Sequence, residues 1–448
     1  MGNLRTKPKH QMSDAERVQD LQRKLYRKAK QDKGFRFYVL YDKVRLPHFL
    51  REAYKRSKAN NGKPGVDGIS YKEVEACGVE KFISEIIEEL ENKTYRPQAV
   101  LKVEIPKVDG GIRVLGIPTV KDRVIQQVVK LVIEPIFEAD FEDSSYGYRP
   151  RRSAGDAVGE IKRNLREGKS EVYDADISAC FDTIPHKELM QLVALRISDR
   201  NVLHLIKMWL KAPVMENGRP KGGRKRKVGI PQGGVISPLL ANIYLHLLDK
   251  AVNRAGSIFR RNGVKIVRYA DDFVLMARKI PEECLGHMNW MFGRMKIKLN
   301  EGKSRKLKAK EESFDFLGHS FRYTDDLKGR AVKYWNVEPS KKSQKKVRAK
   351  IREYLKANGH KAPQLLAEDL NAIIRGWINY FTIKEVSYPN KAKRNLRYYL
   401  YKKITRYYKR KSQRKSKLYN RGAMRVLVKQ YELIDPSKYT LSRRPVNA

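Results

Sequence analysis

The sequence predicts an α+β fold followed by an α-helical C-terminal part, and three patterns in it carry that expectation. Two pairs of β-rich runs, each joined by a short turn, mark hairpins at residues 101–117 and 264–276. After about residue 325 apolar residues recur three and four apart, the period of a helix with one buried face. The chain is 41% hydrophobic over 448 residues, which allows roughly two to four domains with real cores.

Taken in order, residues 1–36 are polar and basic with little periodicity, and they read as an arm that orders on a partner. Residues 37–325 mix strand-like and helix-like segments and form the α+β body. Within it, Leu101–Pro106 and Ile112–Ile117 flank a loop whose Asp109-Gly110 supplies the positive φ of a tight turn. The second pair, Val264–Arg268 and Phe273–Met276, flanks Tyr269-Ala270-Asp271-Asp272. Residues 326–412 should be helical. Ser340 can cap a helix with the stripe Val347, Ile351 and Leu355 and a stop at Asn358-Gly359. A second stripe is Leu366, Leu370, Ile373, Trp377 and Phe381. The third helical stretch, Lys391–Arg410, has only the seam Leu396, Leu400 and Ile404 in a field of Lys, Arg and Tyr. Residues 413–448 read as a short basic C-terminal segment suited to nucleic acid.

Composition narrows the partner. The formal net charge is +46, from 96 Lys and Arg against 50 Asp and Glu. An excess of that size needs a polyphosphate to absorb it, so nucleic acid comes first and an acidic membrane surface second. No stretch approaches the roughly 18 consecutive apolar residues of a spanning helix, and no apolar signal segment follows the N-terminus, so a cytoplasmic protein with no membrane partner is expected. The opening Met1-Gly2-Asn3 fits the loose myristoylation pattern, which recurs by chance. Three cysteines, Cys77, Cys180 and Cys284, lie far apart, and the eight histidines form no zinc pattern. Any metal would therefore be held by oxygen.

The chemistry is concentrated in carboxylates. Asp271 and Asp272 sit adjacent in a hairpin turn, where like charges raise each other's pKa unless a cation lies between them. Read alone, such a pair is an ordinary solvated turn. The run Glu171–Asp182 changes that reading, because it puts Asp176 at the end of a second strand-like segment, within reach of the pair across neighbouring strands. Three carboxylates could then hold two magnesium ions about 4 Å apart, with manganese as a substitute, to activate a 3′-hydroxyl and stabilise leaving pyrophosphate.

At this point the sequence resembles the reverse transcriptases of group II introns, the intron-encoded maturases. The resemblance runs in the family's order over about residues 44–381. It passes through Asn61-Gly-Lys-Pro-Gly65-Val-Asp67-Gly68, Ile105-Pro-Lys107 with Gly110-Gly-Ile-Arg113, and Gly116-Ile-Pro-Thr119. It continues through Ser145-Tyr-Gly-Tyr-Arg149-Pro150, the Asp176 segment, Gly229-Ile-Pro-Gln232-Gly-Gly and its continuation to Asn242. The remaining pieces are Tyr269-Ala-Asp-Asp272, Asn300-Glu-Gly-Lys303, Phe316-Leu-Gly318 and Arg375-Gly-Trp377.

The resemblance implies a right-hand polymerase with fingers around the first hairpin, a palm carrying the aspartates, and a helical thumb corresponding to the maturase X region. By the same resemblance Asp176, Asp271 and Asp272 are catalytic metal ligands, and Lys107 and Arg113 grip the incoming dNTP. Phe181 lies beneath the sugar and excludes a 2′-hydroxyl, although plain core packing would also account for a Phe there. Gln232 precedes two glycines that let the backbone approach the nucleotide, with a simple tight loop as the bland alternative. Lys303 matches the family's proton donor to pyrophosphate, yet it is one lysine among many. Arg149 and Gly318 fall in the family's nucleic-acid-binding segments, and Arg406, Lys409, Arg410 and Lys411, with Tyr398, Tyr399, Tyr401, Tyr407 and Tyr408 interleaved, form a tract suited to structured RNA. The implied partners are group II intron RNA, an RNA template with a DNA or RNA primer, dNTPs and target DNA. The cysteine pairs of the family's His/Asn endonuclease are missing, so second-strand cleavage by that route is not expected. The alternatives are a freestanding bacterial reverse transcriptase and an RNA-binding splicing cofactor with a vestigial polymerase site. The basic loop Gly218–Lys227 could also touch template phosphate.

Overall fold

The first hairpin forms where its alternation and turn place it: β1 (Val100–Pro106) and β2 (Ile112–Ile117) pair antiparallel from Leu101 opposite Ile117 to Pro106 opposite Ile112. A computed structural model describes residues 12–106, 111–216, 218–223, 226–325, 332–411 and 416–440 of the chain, so the turn itself, Lys107 to Gly110, lies outside the described residues. The sheet is extended by β4 (Val214–Glu216), parallel to β1, and by β5 (Arg219–Lys221), antiparallel to β4.

A second sheet is the frame of the candidate site. Its order is β6-β7-β3-β8, made of β6 (Lys265–Tyr269), β7 (Asp272–Ala277), β3 (Glu171–Ser178) and β8 (Lys298–Leu299), with β9 (Arg305–Lys308) also pairing β3. All of these pairings are antiparallel. Side chains alternate across a strand, so the two faces separate cleanly. On one face Ala175, Ile177, Phe273 and Leu275 pack with Val124 and Val128 of the helix Val120–Glu138, Leu240 of the helix Ser237–Asn253, and Met288 of the helix Glu282–Arg294. On the other, Val172, Val274 and Met276 meet Ile161 and Leu165 of the helix Ala154–Arg166. Each such aliphatic burial contributes about 1.5–3 kcal/mol, which fixes the register because a slip of one residue would turn every apolar side chain outward.

The mixed architecture with antiparallel sheets agrees with the expected fold class, and several local expectations need correction. The arm expected over residues 1–36 is, from Asp14 to Gln31, a helix with a capping box between Ser13 and Glu16. Val18, Leu25 and Ala29 bury a narrow seam, and the Gln22 amide donates 2.9 Å to the carbonyl of Leu131. Three buried apolar residues in an otherwise basic helix are too sparse to register as periodicity.

The helical region does not begin at residue 326. β10 (Phe314–Phe316), β11 (His319–Asp325) and β12 (Lys333–Pro339) make a three-stranded antiparallel sheet that crosses that boundary, and the first helix of the region, Lys341–Ala357, starts behind Ser340 as its cap. The boundary at residue 413 fails too. The helix Ala423–Gln430 packs on the bundle formed by Lys341–Ala357, Pro363–Phe381 and Asn390–Arg410, burying Met424, Leu427 and, beyond it, Leu433 against Leu370, Leu400 and Ile404. What reads as a free basic segment is the bundle's fourth wall. Among the described residues no helix is long and apolar enough to cross a membrane.

Candidate active site

Asp176, near the end of β3, stands directly opposite Asp272, the first residue of β7. Asp271 lies in the turn just before it, and the turn closes through Ala270 at φ 57°. The three sequence-expected aspartates therefore come together on adjacent strands. Burial pushes Asp272 up to about 7, and the neighbouring charges of Asp271, Asp176 and Asp174 push the same way. Asp271 is also raised, first by burial, against the pull of the nearby Arg113 and Arg268. Asp174, two residues before Asp176 on the same face of β3, is raised to about 6 by burial. Nothing in its sequence context marks it.

Carboxylates gathered in dry surroundings without enough cations are the electrostatic setting that a divalent ion relieves. Among the described residues no three His, Cys, Asp or Glu side chains close a metal cage by themselves. The donor set of hard oxygens suits a hard divalent ion.

The turn is held from beneath by Arg268, which is wholly buried. Its guanidinium donates to both Asp249 oxygens at 2.8 and 2.6 Å, to the Asn242 side-chain oxygen at 2.9 Å, to the carbonyl of Ala270 at 2.8 Å and to the Ser145 hydroxyl at 2.7 Å. Asn242 in turn donates 2.8 Å to the carbonyl of Gly147. A Cβ on Gly147 would stand 2.4 Å from the backbone nitrogen of Ala270, so only glycine lets these two segments meet. The segments around Ser145, Asn242 and Asp271, distant in sequence, thus converge on one guanidinium. Sequence reasoning missed Arg268 and Asp249. The available signal was an arginine directly after Ile266 and Val267 in a strand of the core sheet, where burial demands a partner.

The remaining expected residues border the same region. Arg113, exposed on β2, donates 3.3 Å to the side-chain oxygen of Gln232, and the amide of Gly116 donates 2.6 Å to the Gln232 carbonyl. Gly233 has φ 111°, and a Cβ there would lie 2.6 Å from the Gly116 carbonyl oxygen. Glycine is thus required for the loop to lie against the hairpin. Phe181 is half-buried against the main core, and its carbonyl accepts 2.6 Å from Ile230 in that loop. The Lys303 ammonium is 3.5 Å from an Asp176 oxygen, to which Asn300 also donates at 3.3 Å. Lys107 falls outside the described residues.

Two residues expected to contact nucleic acid have clear places in the fold. Arg149 is buried in a paired bidentate contact with Glu138, at 2.9 and 2.7 Å, and donates to the carbonyls of Glu142 and Ser145; it braces the Ser145 segment instead of facing a ligand. Gly318 forms a left-handed turn at φ 76° whose missing Cβ would meet the Ser343 hydroxyl at 2.7 Å, so its place in the fold is a close approach of strand to helix. In the basic tract Arg406, Lys409, Arg410 and Lys411 are all exposed, and Lys411 in addition donates 2.8 Å to the carbonyl of Lys361 and lies over the rings of Tyr407 and Tyr408. The tyrosines divide. Tyr399 and Tyr407 donate to carbonyls of Arg348 and Asn358 and Tyr408 is buried, which leaves Tyr398 and Tyr401 exposed at 60% and 55%.

Comparison with known proteins adds to this geometry. A family described as reverse transcriptase (RNA-dependent DNA polymerase) matches residues 105–321, and one described as group II intron, maturase-specific domain matches residues 344–426. The chain is 34% identical to Protein YkfC of Escherichia coli (strain K12), over 67% of this chain and 87% of that protein. It is 41% identical to the group II intron-encoded protein LtrA of Lactococcus lactis subsp. cremoris over 48% of this chain, a match spanning 35% of LtrA. A solved partial Cas6-RT-Cas1–Cas2 complex overlays with a TM-score of 0.35 and 24% identity, covering 57% of this chain and 42% of that one.

Proposed function

Because the chain belongs to the family of group II intron reverse transcriptases and maturases, we propose that it copies RNA into DNA by nucleotidyl transfer at Asp176, Asp271 and Asp272 and binds its own intron RNA to assist splicing and mobility. The observation that carries this reading is the cross-strand pair Asp176 and Asp272 with Asp271 in the adjoining turn. In the right-hand reading the central sheet is the palm, the β1–β2 hairpin belongs to the fingers, and the C-terminal bundle is the thumb.

Reverse transcriptases depend on divalent metal, and two magnesium ions, or manganese in their place, are the form proposed here. Bound between the carboxylates, they would lower the pKa of the primer's 3′-hydroxyl and neutralise charge on the leaving pyrophosphate. The chain's own residues do the positioning. Arg113 and Lys107 hold the triphosphate, and Gln232, fixed by Gly116 and Arg113, supports the nucleotide beside Phe181. Phe181 restricts the space at the sugar's 2′ position. Lys303, ion-paired near Asp176, is placed to deliver a proton to pyrophosphate. Exposed Arg406, Lys409 and Arg410 face the RNA. An RNA template with a DNA or RNA primer, dNTPs and target DNA are the remaining partners, and the cytoplasm is the proposed compartment.

The test is Asp271→Asn assayed for primer extension and for RNA affinity. Extension should vanish while RNA binding stays close to wild type, because affinity for RNA is spread over many cations elsewhere. Extension retained above a few per cent would remove Asp271 from the site.

A further inference from the structure

The helices His186–Ala194 and Arg200–Leu210 leave between them an open groove of about 770 Å³, bordered on one side by the basic loop that precedes Gly229. Its floor is aliphatic, with Met190, Ala194, Leu203 and Leu210 along it. Leu195, the next residue after Ala194, is 64% exposed. The rim is cationic: Lys187, Arg200, Lys207 and Lys211 come from the helices, and Arg226 and Lys227 from the basic loop. No Asp or Glu lines the groove, and none of these six cations forms an ion pair within the described residues. The larger groove of about 970 Å³ beside the helix Ala154–Arg166 differs in kind, since Asp143 and Glu160 there offset Arg152 and Arg163.

An apolar floor inside a one-signed rim is a recognition pattern with two requirements. The occupant must supply apolar anchors to cover the floor and negative charge to meet the rim. Single-stranded RNA meets the second requirement and leaves the first unmet, because its bases could stack only on His186, His204, Arg200 and Arg226, with no Phe, Tyr or Trp, and would leave the aliphatic floor uncovered. An acidic amphipathic helix meets both. Its Leu, Ile or Phe side chains at helical spacing would lie on Met190 and Leu203, and its flanking Asp and Glu would reach Lys207, Lys211 and Arg226.

We propose that this groove is a docking site for an acidic amphipathic peptide segment of a partner protein. Arg226 and Lys227 of the basic loop then serve protein recognition. The two framing helices, nine and eleven residues long, run about 14 and 17 Å, the length of about two and a half to three turns of a docked helix.

The test uses the full chain and a fluorescein-labelled synthetic peptide of about sixteen residues, with Leu at helical spacing and Glu elsewhere, read by fluorescence anisotropy at physiological salt. A control peptide of equal charge carries Ser in place of each Leu, and an oligouridylate of similar length serves as the RNA probe. The Leu peptide should bind at least about tenfold more tightly than the Ser peptide. Met190→Ser with Leu203→Ser should erase that preference, and Lys207→Glu with Lys211→Glu should weaken the Leu peptide at an unchanged melting temperature. Charge reversal at the exposed Lys72 and Lys81, away from the groove, should have little effect. Equal affinity for the two peptides, equal weakening by the distant reversals, or loss of oligouridylate binding in the Met190/Leu203 variant each overturns the proposal, the last by making the groove an RNA site.

Discussion

Arg268 and Asp249 form a bidentate ion pair, at 2.8 and 2.6 Å, in which neither side chain has any exposure to solvent. The pair sits directly under the turn that carries Asp271, since the same guanidinium also donates to the carbonyl of Ala270. A buried charge pair adds little net stability over an apolar pair of equal volume, but removing one partner strands the other. The arrangement therefore makes the position of the turn depend on Asp249, which lies two turns past Asn242 on the helix Ser237–Asn253.

Asp249→Ala should cost about 3–5 kcal/mol, the penalty for an uncompensated buried guanidinium. It should lower primer extension even under conditions where the variant remains folded, because the turn loses its anchor. The pair Asp249→Leu with Arg268→Leu removes both charges and should recover much of the stability without recovering extension. A double variant as active as wild type would show that the ion pair serves packing alone.

Sugar selection is the second expectation. Phe181 is half-buried against the main core and its carbonyl is tied to Ile230 in the Gln232 loop, so the residue adjoins that loop without being sealed into the core. Phe181→Val should open space there and raise incorporation of rNTPs relative to dNTPs. An unchanged preference ratio would return the ring to a packing role.

Acid stability follows from two histidines. Burial holds His246 and His319 down to about 4. Among the described residues both nitrogens of His246 and Nε2 of His319 lack hydrogen-bond partners, an arrangement that a neutral ring tolerates and a charged ring does not. With the folded value below the ordinary 6.5, the unfolded chain takes up protons first. Their contribution is complete above about pH 6.5 and is lost as the pH falls toward 4, by about 2 kcal/mol for each ring on going to pH 5. Chemical denaturation near pH 7.5 and near pH 5 should show the difference. A flat profile would mean that solvent reaches both rings.

Strands and helices were legible where their signals are local: the β-rich runs Leu101–Pro106 and Ile112–Ile117, the Ser340 cap, and the helical stripe through Leu366, Leu370 and Phe381. The residues buried between the last two, however, are Ile374 and Ile378 in place of the expected Ile373 and Trp377. Asp176, Asp271 and Asp272 were legible as residue types in strand-end positions. What escaped depends on long-range pairing. No local pattern announces that Arg268 finds Asp249 and Ser145, that Arg149 is spent on Glu138, or that Leu427 and Leu433 close the helical bundle. The helix at Asp14 escaped for a different reason, since its buried seam is only three residues wide.

The last expectation concerns the basic tract, which the structure divides by side-chain use. Arg406, Lys409, Arg410 and Lys411 are all exposed, but Lys411 is engaged with Lys361; Tyr398, under Lys402, and Tyr401 are exposed on the same helix, while Tyr407, Tyr408 and Tyr399 belong to the bundle. Phosphate binding should therefore reside chiefly in Arg406, Lys409 and Arg410, whose side chains have no partner among the described residues drawing them onto the bundle. Base stacking should reside in the exposed rings of Tyr401 and, once Lys402 moves aside, Tyr398. Neutralising Arg406, Lys409 and Arg410 together should weaken binding to structured intron RNA and reduce its salt dependence by up to ~0.9 in slope for each phosphate that is no longer neutralised. Lys411→Ala should instead lower stability, by loosening the end of its helix from Lys361, with little change in the salt slope. Tyr398→Ala with Tyr401→Ala should reduce affinity without altering that slope, because rings release no counterions. Primer extension on a short unstructured template should change much less in all three. Equal losses on both substrates would assign the tract to polymerisation in general, and unchanged affinity for every RNA would leave it a solvated face of the bundle.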